Sequence, residues 1–257
     1  MLRSKWRTAL LGLAVASCTS ATPGARPHDM STARHEQQEA AHVREAEQHA
    51  AQYDPDATSA RERCRLPVRS AVLNDVGLGY SCWTSLTNPT DTHRIQAEEH
   101  RRRAADHRAA SAALREAEAR ACGGIALEER DMSPFEHTED ITRVEPLITP
   151  LGDAPTAPLP ERTVGAVVTF RAVPGMTAEW LKRLVDCHLA RNASLGHVVP
   201  EMPNCPLVPN GAQARVKSTG DGFAVEISSR NPATAREILS RAQRLRSTPL
   251  SAAPPTM

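Results

Sequence analysis

Two short stretches of the chain carry a histidine at every seventh position. They are HEQQEAAHVREAEQH, with His35, His42 and His49, and HRIQAEEHRRRAADH, with His93, His100 and His107. The whole chain has only 10 histidines, so most of them follow this spacing. Imidazole is a common ligand of transition metals and the side chain that titrates closest to neutral pH. The spacing therefore directs the search for function to metal binding and to proton uptake.

On a helix, a spacing of seven residues keeps the histidines on one face. Successive histidines lie two turns, or about 10.5 Å, apart along the axis, which is too far for one ion to bridge. The first stretch also has carboxylates three and four residues from its histidines, where side chains meet on a helix surface. These are Glu39 and Glu45. The other ligands would have to come from the second stretch.

The two stretches belong to two predicted helices that form an antiparallel hairpin over residues 31–124. The first helix is predicted from residue 31 to about 63, with a break favoured at Pro55, and the second from 90 to 121. If His42 lies opposite His100, the equal spacing pairs the outer histidines as well. Those pairs are His35 with His107 and His49 with His93. Two imidazoles and a nearby carboxylate form a ligand set that suits Zn²⁺, Cu²⁺ or Ni²⁺.

Two other interpretations of the histidines stay open. The segments can be one duplicated heptad, in which histidine packs as a semi-polar residue beside an alanine-rich seam and binds nothing. Alternatively, the hairpin responds to pH, because facing imidazoles would repel each other once both are protonated below about pH 6.5. Large apolar residues are scarce in both helices, so the hairpin is predicted to be marginal on its own.

A second group of metal-ligand side chains lies closer to the C-terminus. It comprises Cys187, His188, His197, Met202 and Cys205. These soft ligands would suit Cu(I) if the thiols stay reduced. The spacing matches no metal motif, and a Cys187–Cys205 disulfide is the favoured interpretation.

The N-terminus predicts an exported lipoprotein. Basic residues precede the apolar run TALLGLAVAS, which is too short for an ordinary transmembrane helix. The run ends in small residues before Cys18, a pattern that resembles the bacterial lipobox. The resemblance implies cleavage before Cys18 and lipidation of its thiol; an ordinary secretory signal is the alternative. Within that resemblance, Thr19 stands where aspartate would retain a Gram-negative lipoprotein in the inner membrane, which favours the outer membrane.

The other cysteines fit an oxidising envelope compartment, in which disulfides form. The predicted pairs are Cys187–Cys205 and Cys64–Cys82. Each closes a short loop, worth about 3 kcal/mol in the chain-entropy account. Cys122 is left without a partner in this assignment, and sequence alone does not fix the connectivity.

The predicted fold class is α+β, with the hairpin followed by a small sandwich domain. The predicted boundaries are 1–17 for the signal peptide, 18–30 for a flexible tether, 31–124 for the hairpin, 125–162 for an irregular segment and proline-rich linker, 163–246 for the sandwich, and 247–257 for a disordered tail. The sandwich is predicted to run β-α-β-β-α, which resembles a ferredoxin-like two-layer fold without its final strand. Its last two strands flank the turn Gly220-Asp221-Gly222.

Composition narrows the function classes. Aromatic residues make up 3% of the chain and prolines number 20, which argues against one large core. The net charge of +1 provides no whole-protein field for nucleic acid or for a membrane surface. The G-x-S-x-G, H-E-x-x-H, P-loop and dinucleotide signatures are absent, so a non-enzymatic protein is predicted.

On its lipobox and its His/Ala-rich heptads, the chain resembles the uncharacterised lipoproteins of GC-rich Gram-negative bacteria. The first functional hypothesis is a lipid-anchored outer-membrane protein, facing the periplasm, that binds a divalent metal weakly through the histidines. The second is a structural or interaction lipoprotein without a metal, whose hairpin docks to another envelope protein. An enzyme is a third hypothesis that no motif supports.

Overall fold

The computed structural model describes residues 23–65, 81–150 and 161–247 and has mixed α and β structure. Helix α1 spans Thr32–Gln52 and helix α2 spans Asp91–Ala121. They pack side by side in opposite directions, which confirms the predicted helical hairpin. The predicted first helix, residues 31–63, is too long, because α1 stops at Gln52, shortly before Pro55. Proline disfavours helical geometry in the residue before it, so the helix ends there.

Small residues form the seam between α1 and α2. The buried apolar residues of the two helices are Ala46, Ala97, Ala104, Ala110 and Leu114. The distance between packed helices is set by the side chains at their contact, so alanine lets the two backbones approach closely. The seam buries little apolar area, and the hairpin therefore depends on contacts with the rest of the protein.

The far end of the hairpin is a two-stranded antiparallel ribbon. Strand β1 spans Ser59–Arg65 and strand β2 spans Ser81–Thr87, with Cys64 directly opposite Cys82. These two cysteines form a disulfide, which confirms that predicted pair. The ribbon is not predicted from the sequence because its described residues are mostly exposed, and no alternation of apolar and polar residues marks the strands.

The C-terminal part contains a four-stranded antiparallel sheet in the order β3-β4-β6-β5. The strands are β3 (Ile141–Pro150), β4 (Glu161–Arg171), β5 (Gln213–Ser218) and β6 (Gly222–Ser228). Helices α4 (Ala178–Ser194) and α5 (Pro232–Ser247) cover one face of the sheet. Alternate residues of β4, Ala166, Val168 and Phe170, point into this core, as the strand pattern predicts.

Part of the segment predicted to be irregular, residues 125–150, is ordered secondary structure. It contains the short helix α3 (Leu127–Asp131) and the edge strand β3, which pairs with β4. Two prolines, Pro146 and Pro150, obscured β3 in the sequence. Proline is tolerated on an edge strand because one side of that strand needs no ladder hydrogen bonds. Residues 151–160, most of the predicted proline-rich linker, lie outside the described residues.

A disulfide between Cys122 and Cys187 joins the hairpin to the sheet-and-helix unit. The predicted Cys187–Cys205 pair is therefore wrong, and Cys122 is not the odd cysteine. Cys187 faces a small cluster at the end of α2, whereas Cys205 lies in the main core as a buried free thiol. Loop closure between Cys122 and Cys187, 65 residues apart, is worth about 4 kcal/mol in the chain-entropy account.

Polar contacts reinforce this junction at both ends of α4. Arg183 donates to the carbonyl of Gly123 at 2.8 Å, and Arg191 pairs with Glu118 of α2 at 3.3 Å. At the base of α1, the hydroxyl of Thr32 lies 2.9 Å from that of Ser194. The hairpin, which has little core of its own, therefore rests on α4.

The N-terminal predictions fall mostly outside the described residues, Cys18 and the signal peptide included. The end of the predicted flexible tether is ordered: Ala25 is buried and Pro27–Asp29 form a 3-10 turn. Residues 248–257 also lie outside the described part. None of the helices in the described ranges is long and apolar enough to cross a membrane.

Candidate metal centre

The six spaced histidines meet across the hairpin in three pairs. The Nδ1–Nδ1 distances are 3.0 Å for His35 and His107, 3.2 Å for His42 and His100, and 3.2 Å for His49 and His93. This confirms the pairing predicted from equal spacing on antiparallel helices. We call the three pairs the inner, central and outer rungs, in that order, and the six histidines together the ladder.

The rings also contact their neighbours on adjacent rungs, a feature that the seven-residue spacing alone does not predict. His42 stacks on His107 with ring centroids 5.7 Å apart, and His49 stacks on His100 at 5.5 Å. Within the rungs the centroids are 5.3 to 5.5 Å apart. The six imidazoles therefore form one continuous column along the seam, in which each ring touches the next.

The inner rung is buried, and its hydrogen bonds indicate which ring nitrogens carry the protons. His35 is fully buried and His107 is 5% exposed. Nε2 of His35 lies 3.4 Å from the carbonyl oxygen of Pro27, which can only accept, so this nitrogen carries the proton. In this tautomer His35 accepts at Nδ1, and His107 donates. Burial lowers the pKa of His107, and the neighbouring His35 and His42 lower it further.

The central rung gathers a third ligand atom. Oε2 of Glu45 lies 2.9 Å from Nδ1 of His42 and 2.9 Å from Nδ1 of His100. With the 3.2 Å between the two nitrogens, these atoms form a nearly equilateral triangle. The hydrogen bond from His42 lowers the pKa of Glu45, and the positive potential of His100 and Arg103 adds to that effect. Glu45 is therefore a carboxylate at neutral pH.

This triangle matches the spacing of ligands on a metal ion. Metal–nitrogen bonds of about 2.0–2.1 Å in tetrahedral geometry place the ligand atoms about 3.3 Å from one another. The side chains of His42 and His100 are 16% and 19% exposed, and that of Glu45 is 47% exposed. An ion could therefore enter from the Glu45 side, and water could complete its coordination.

The other predicted ligand, Glu39, is not part of such a group. Its Oε1 accepts a hydrogen bond from Nε of Arg108 at 2.6 Å, so an ion pair between the helices occupies it. Among the described residues, the inner and outer rungs have no third ligand atom close to both imidazoles. The central rung is thus the best-equipped of the three for a cation.

The cysteine-containing groups do not provide an alternative site. Glu62, Cys64 and Cys82 are close together on the ribbon, but both sulfurs belong to the disulfide and cannot act as thiolate ligands. The predicted C-terminal group is dispersed. Cys187 is bonded to Cys122, and the other four side chains form no cluster of metal ligands in the part of the chain that the structure describes.

The two histidines of that dispersed group contact main-chain carbonyls instead. Nε2 of His188 donates to the carbonyl of Glu129 at 3.0 Å, and Nδ1 of His197 donates to that of Val208 at 2.8 Å. Burial lowers the pKa of both imidazoles. The first contact holds α3 against α4 and the second fixes the loop that contains Val208, so both histidines have a structural role.

Comparison of the chain with models of known families, with curated proteins and with solved structures finds no match in any of the three.

Proposed function

We propose that this protein is a non-enzymatic envelope lipoprotein that binds a divalent transition metal at the central rung of its histidine ladder. The observation that supports the proposal is the triangle of His42 Nδ1, His100 Nδ1 and Glu45 Oε2, whose sides are 2.9, 2.9 and 3.2 Å. Two imidazoles and one carboxylate suit Zn²⁺, Cu²⁺ or Ni²⁺ better than Mg²⁺ or Ca²⁺, which prefer oxygen ligands.

Proton counting also supports a cation at this point. When His42 donates its Nδ1 proton to Glu45 at 2.9 Å, that proton is not available for the contact with Nδ1 of His100 at 3.2 Å. A metal ion inside the triangle would interact favourably with all three lone pairs. Protons compete with the metal for the lone pairs of the two imidazoles, so binding should weaken as the solution becomes more acidic.

The experiment is calorimetric titration of residues 19–257 with Zn²⁺, Cu²⁺ and Ni²⁺. Every described element lies after residue 22, so this chain retains the whole described fold. We expect a dissociation constant in the micromolar range, as befits three protein ligands and a partly exposed site. A variant with all six ladder histidines changed to alanine should not bind.

Two glutamates provide a matched pair of variants. Glu45→Gln removes the carboxylate of the triangle and should lower the affinity by a factor of 10 or more, because even the loss of a group that only supports a metal ligand costs about 10–100-fold. Glu39→Gln changes the same charge on the same helix but only breaks the contact with Arg108. Equal affinities for the two variants, or binding that survives the loss of all six histidines, would contradict the proposal.

The alternative is a structural or interaction lipoprotein in which the ladder only packs. The observation in its favour is the thin alanine seam, which makes the hairpin a poor independent unit. The effect of metal on stability distinguishes the two proposals. At a free metal concentration of 100 times Kd, the free energy of unfolding should rise by about 2.7 kcal/mol under the first proposal and should not change under the second.

The location of the protein also remains a proposal. It is supported by the basic and apolar run before Cys18 and by the lipobox resemblance, which together imply a lipid anchor in the outer membrane. Mass spectrometry of the protein isolated from membranes would test it, since a lipidated N-terminal cysteine has a characteristic added mass.

We further propose that the C-terminal unit has a ferredoxin-like arrangement. The order β4-α4-β5-β6-α5 and the antiparallel neighbours β4, β6 and β5 support it. The edge position expected for a final strand holds β3, which precedes the unit in the chain.

A further inference from the structure

The ribbon at the far end of the hairpin has one strongly basic face. Side chains alternate between the two faces of a strand, so Arg61, Arg63 and Arg65 of β1 share one face. Trp83 of β2 lies directly opposite Arg63 in the register and therefore joins them, whereas Glu62 belongs to the other face. Among the described residues, none of these three arginines has an ion-pair partner.

The arginine face of the described ribbon is exposed to solvent. Its three arginines are exposed, and Trp83 is 48% exposed. The Cys64–Cys82 disulfide joins the two strands near their far end, which fixes the register in a two-stranded ribbon that would otherwise be marginal. The arginines on this face are about 6.7 Å apart along the strand. Their charges therefore suit an extended anionic surface better than a single small anion.

We propose that this face docks on an anionic phospholipid surface through the phosphate-bearing headgroups. Guanidinium groups pair with phosphate oxygens in a two-pronged geometry, and basic residues gather at negatively charged membrane surfaces. Tryptophan prefers the depth of the headgroups, because its ring is apolar and its N–H is polar. A single-stranded nucleic acid is the competing partner, but it is usually bound in a groove with several stacking aromatics. This face has one tryptophan and no described wall beside it.

The inference is independent of the metal proposal, because the ribbon and the central rung share no residue. The test measures partitioning of residues 19–257 onto vesicles of phosphatidylglycerol and phosphatidylethanolamine at 50 mM salt, with zwitterionic vesicles as reference. The chain used lacks Cys18, so a lipid anchor does not contribute. A Trp180→Phe background leaves Trp83 as its one tryptophan, since the third, Trp6, is removed.

The main variant is Arg61→Gln/Arg63→Gln/Arg65→Gln. Each basic residue close to an anionic bilayer contributes about a fivefold increase in partitioning, so the loss of three should weaken binding about a hundredfold. The same three positions changed to lysine keep the charge and should bind within about threefold of the parent. Trp83 emission should shift to shorter wavelength on vesicles, and 0.5 M salt should abolish binding.

The matched control removes three exposed arginines from the helices: Arg44→Gln/Arg101→Gln/Arg102→Gln. It changes the net charge equally and should bind vesicles within about threefold of the parent. Equal losses in the two triple variants would overturn the proposal, because whole-chain charge would then explain the binding. Unchanged vesicle binding of the ribbon variant would also overturn it.

A fluorescent 20-nucleotide single strand tests the competing partner. If the ribbon arginines control binding of this strand but not of vesicles, the face is a nucleic-acid surface and the lipid proposal fails. Circular dichroism and the absence of free thiols from Cys64 and Cys82 check that each variant keeps its helices and its ribbon.

Discussion

The inner rung permits a sharp test of the hydrogen bonding that the ladder implies. His35 and His107 are buried and bonded to each other through Nδ1 at 3.0 Å. The perturbation is a double-mutant cycle in which His35→Leu and His107→Leu are made singly and together. Leucine has nearly the volume of histidine and cannot hydrogen-bond, so the cycle isolates the polar interaction.

The magnitude follows from what each variant leaves behind. His107→Leu strands Nδ1 of His35, which is fully buried, and an unsatisfied buried polar group costs about 1–3 kcal/mol. His35→Leu strands the N–H of His107 and also removes the contact to the Pro27 carbonyl. The double variant has no stranded imidazole, and replacing both partners with apolar groups is nearly neutral. The coupling free energy should therefore be at least about 2 kcal/mol.

Urea unfolding followed by circular dichroism at pH 7.5, with a chelator present, measures all four proteins. At that pH His107 is neutral, since burial holds its pKa below its ordinary value. The matched cycle uses His49→Leu and His93→Leu on the outer rung, whose rings are only half-buried, so water can satisfy a stranded nitrogen. Its coupling should stay below about 1 kcal/mol. Additive single effects on the inner rung would refute the reasoning.

Three further predictions concern the junction and the core. Cys122→Ala/Cys187→Ala should lower the unfolding free energy by about 4 kcal/mol in a urea titration, and a loss under about 1 kcal/mol would show that α4 holds the hairpin without the bond. Burial lowers the pKa of His188, so the folded protein resists protonation there, and stability should be intact above about pH 6.5 and decline as the pH falls below it. His188→Gln keeps a donor for Glu129 but does not titrate, so its unfolding free energy should fall less between pH 7.5 and 5; an equal fall would contradict the assignment. Burial also raises the pKa of the Cys205 thiol, so iodoacetamide at pH 8 should label it only after denaturation; rapid labelling of the folded protein would show that the core opens.

The ladder can be predicted from the sequence because its geometry follows from the seven-residue spacing and from the antiparallel order of the two helices. A seven-residue spacing fixes one face and a two-turn step, and equal spacing on antiparallel arms aligns all three rungs once one is aligned. The contribution of Glu45 was predictable for the same reason, since three residues separate it from His42. The sequence does not predict that Glu45 joins the histidines while Glu39 does not. That difference depends on Arg108, which reaches across the hairpin and pairs with Glu39.

The missed features depend on contacts between residues far apart in the chain. The Cys122–Cys187 bond requires the end of α2 to lie against α4, and no local pattern encodes that docking. Strand β3 carries two prolines and is stabilised by its pairing with β4, so its local propensity is a poor guide. The ribbon lacks a buried face, and the apolar alternation that identifies most strands is absent from it.

The low stability of the hairpin and the short distances between the ladder histidines have the same physical cause. Imidazoles on facing helices reach Nδ1–Nδ1 distances of 3.0 to 3.2 Å only if the backbones are close, and the alanine seam brings them close. Larger side chains at Ala46, Ala97 or Ala104 would bury more apolar surface, but they would separate the rungs and open the triangle around Glu45. The histidine site therefore requires a small core between the two helices. The stability that this core lacks comes from contacts with α4 and from the Cys122–Cys187 bond.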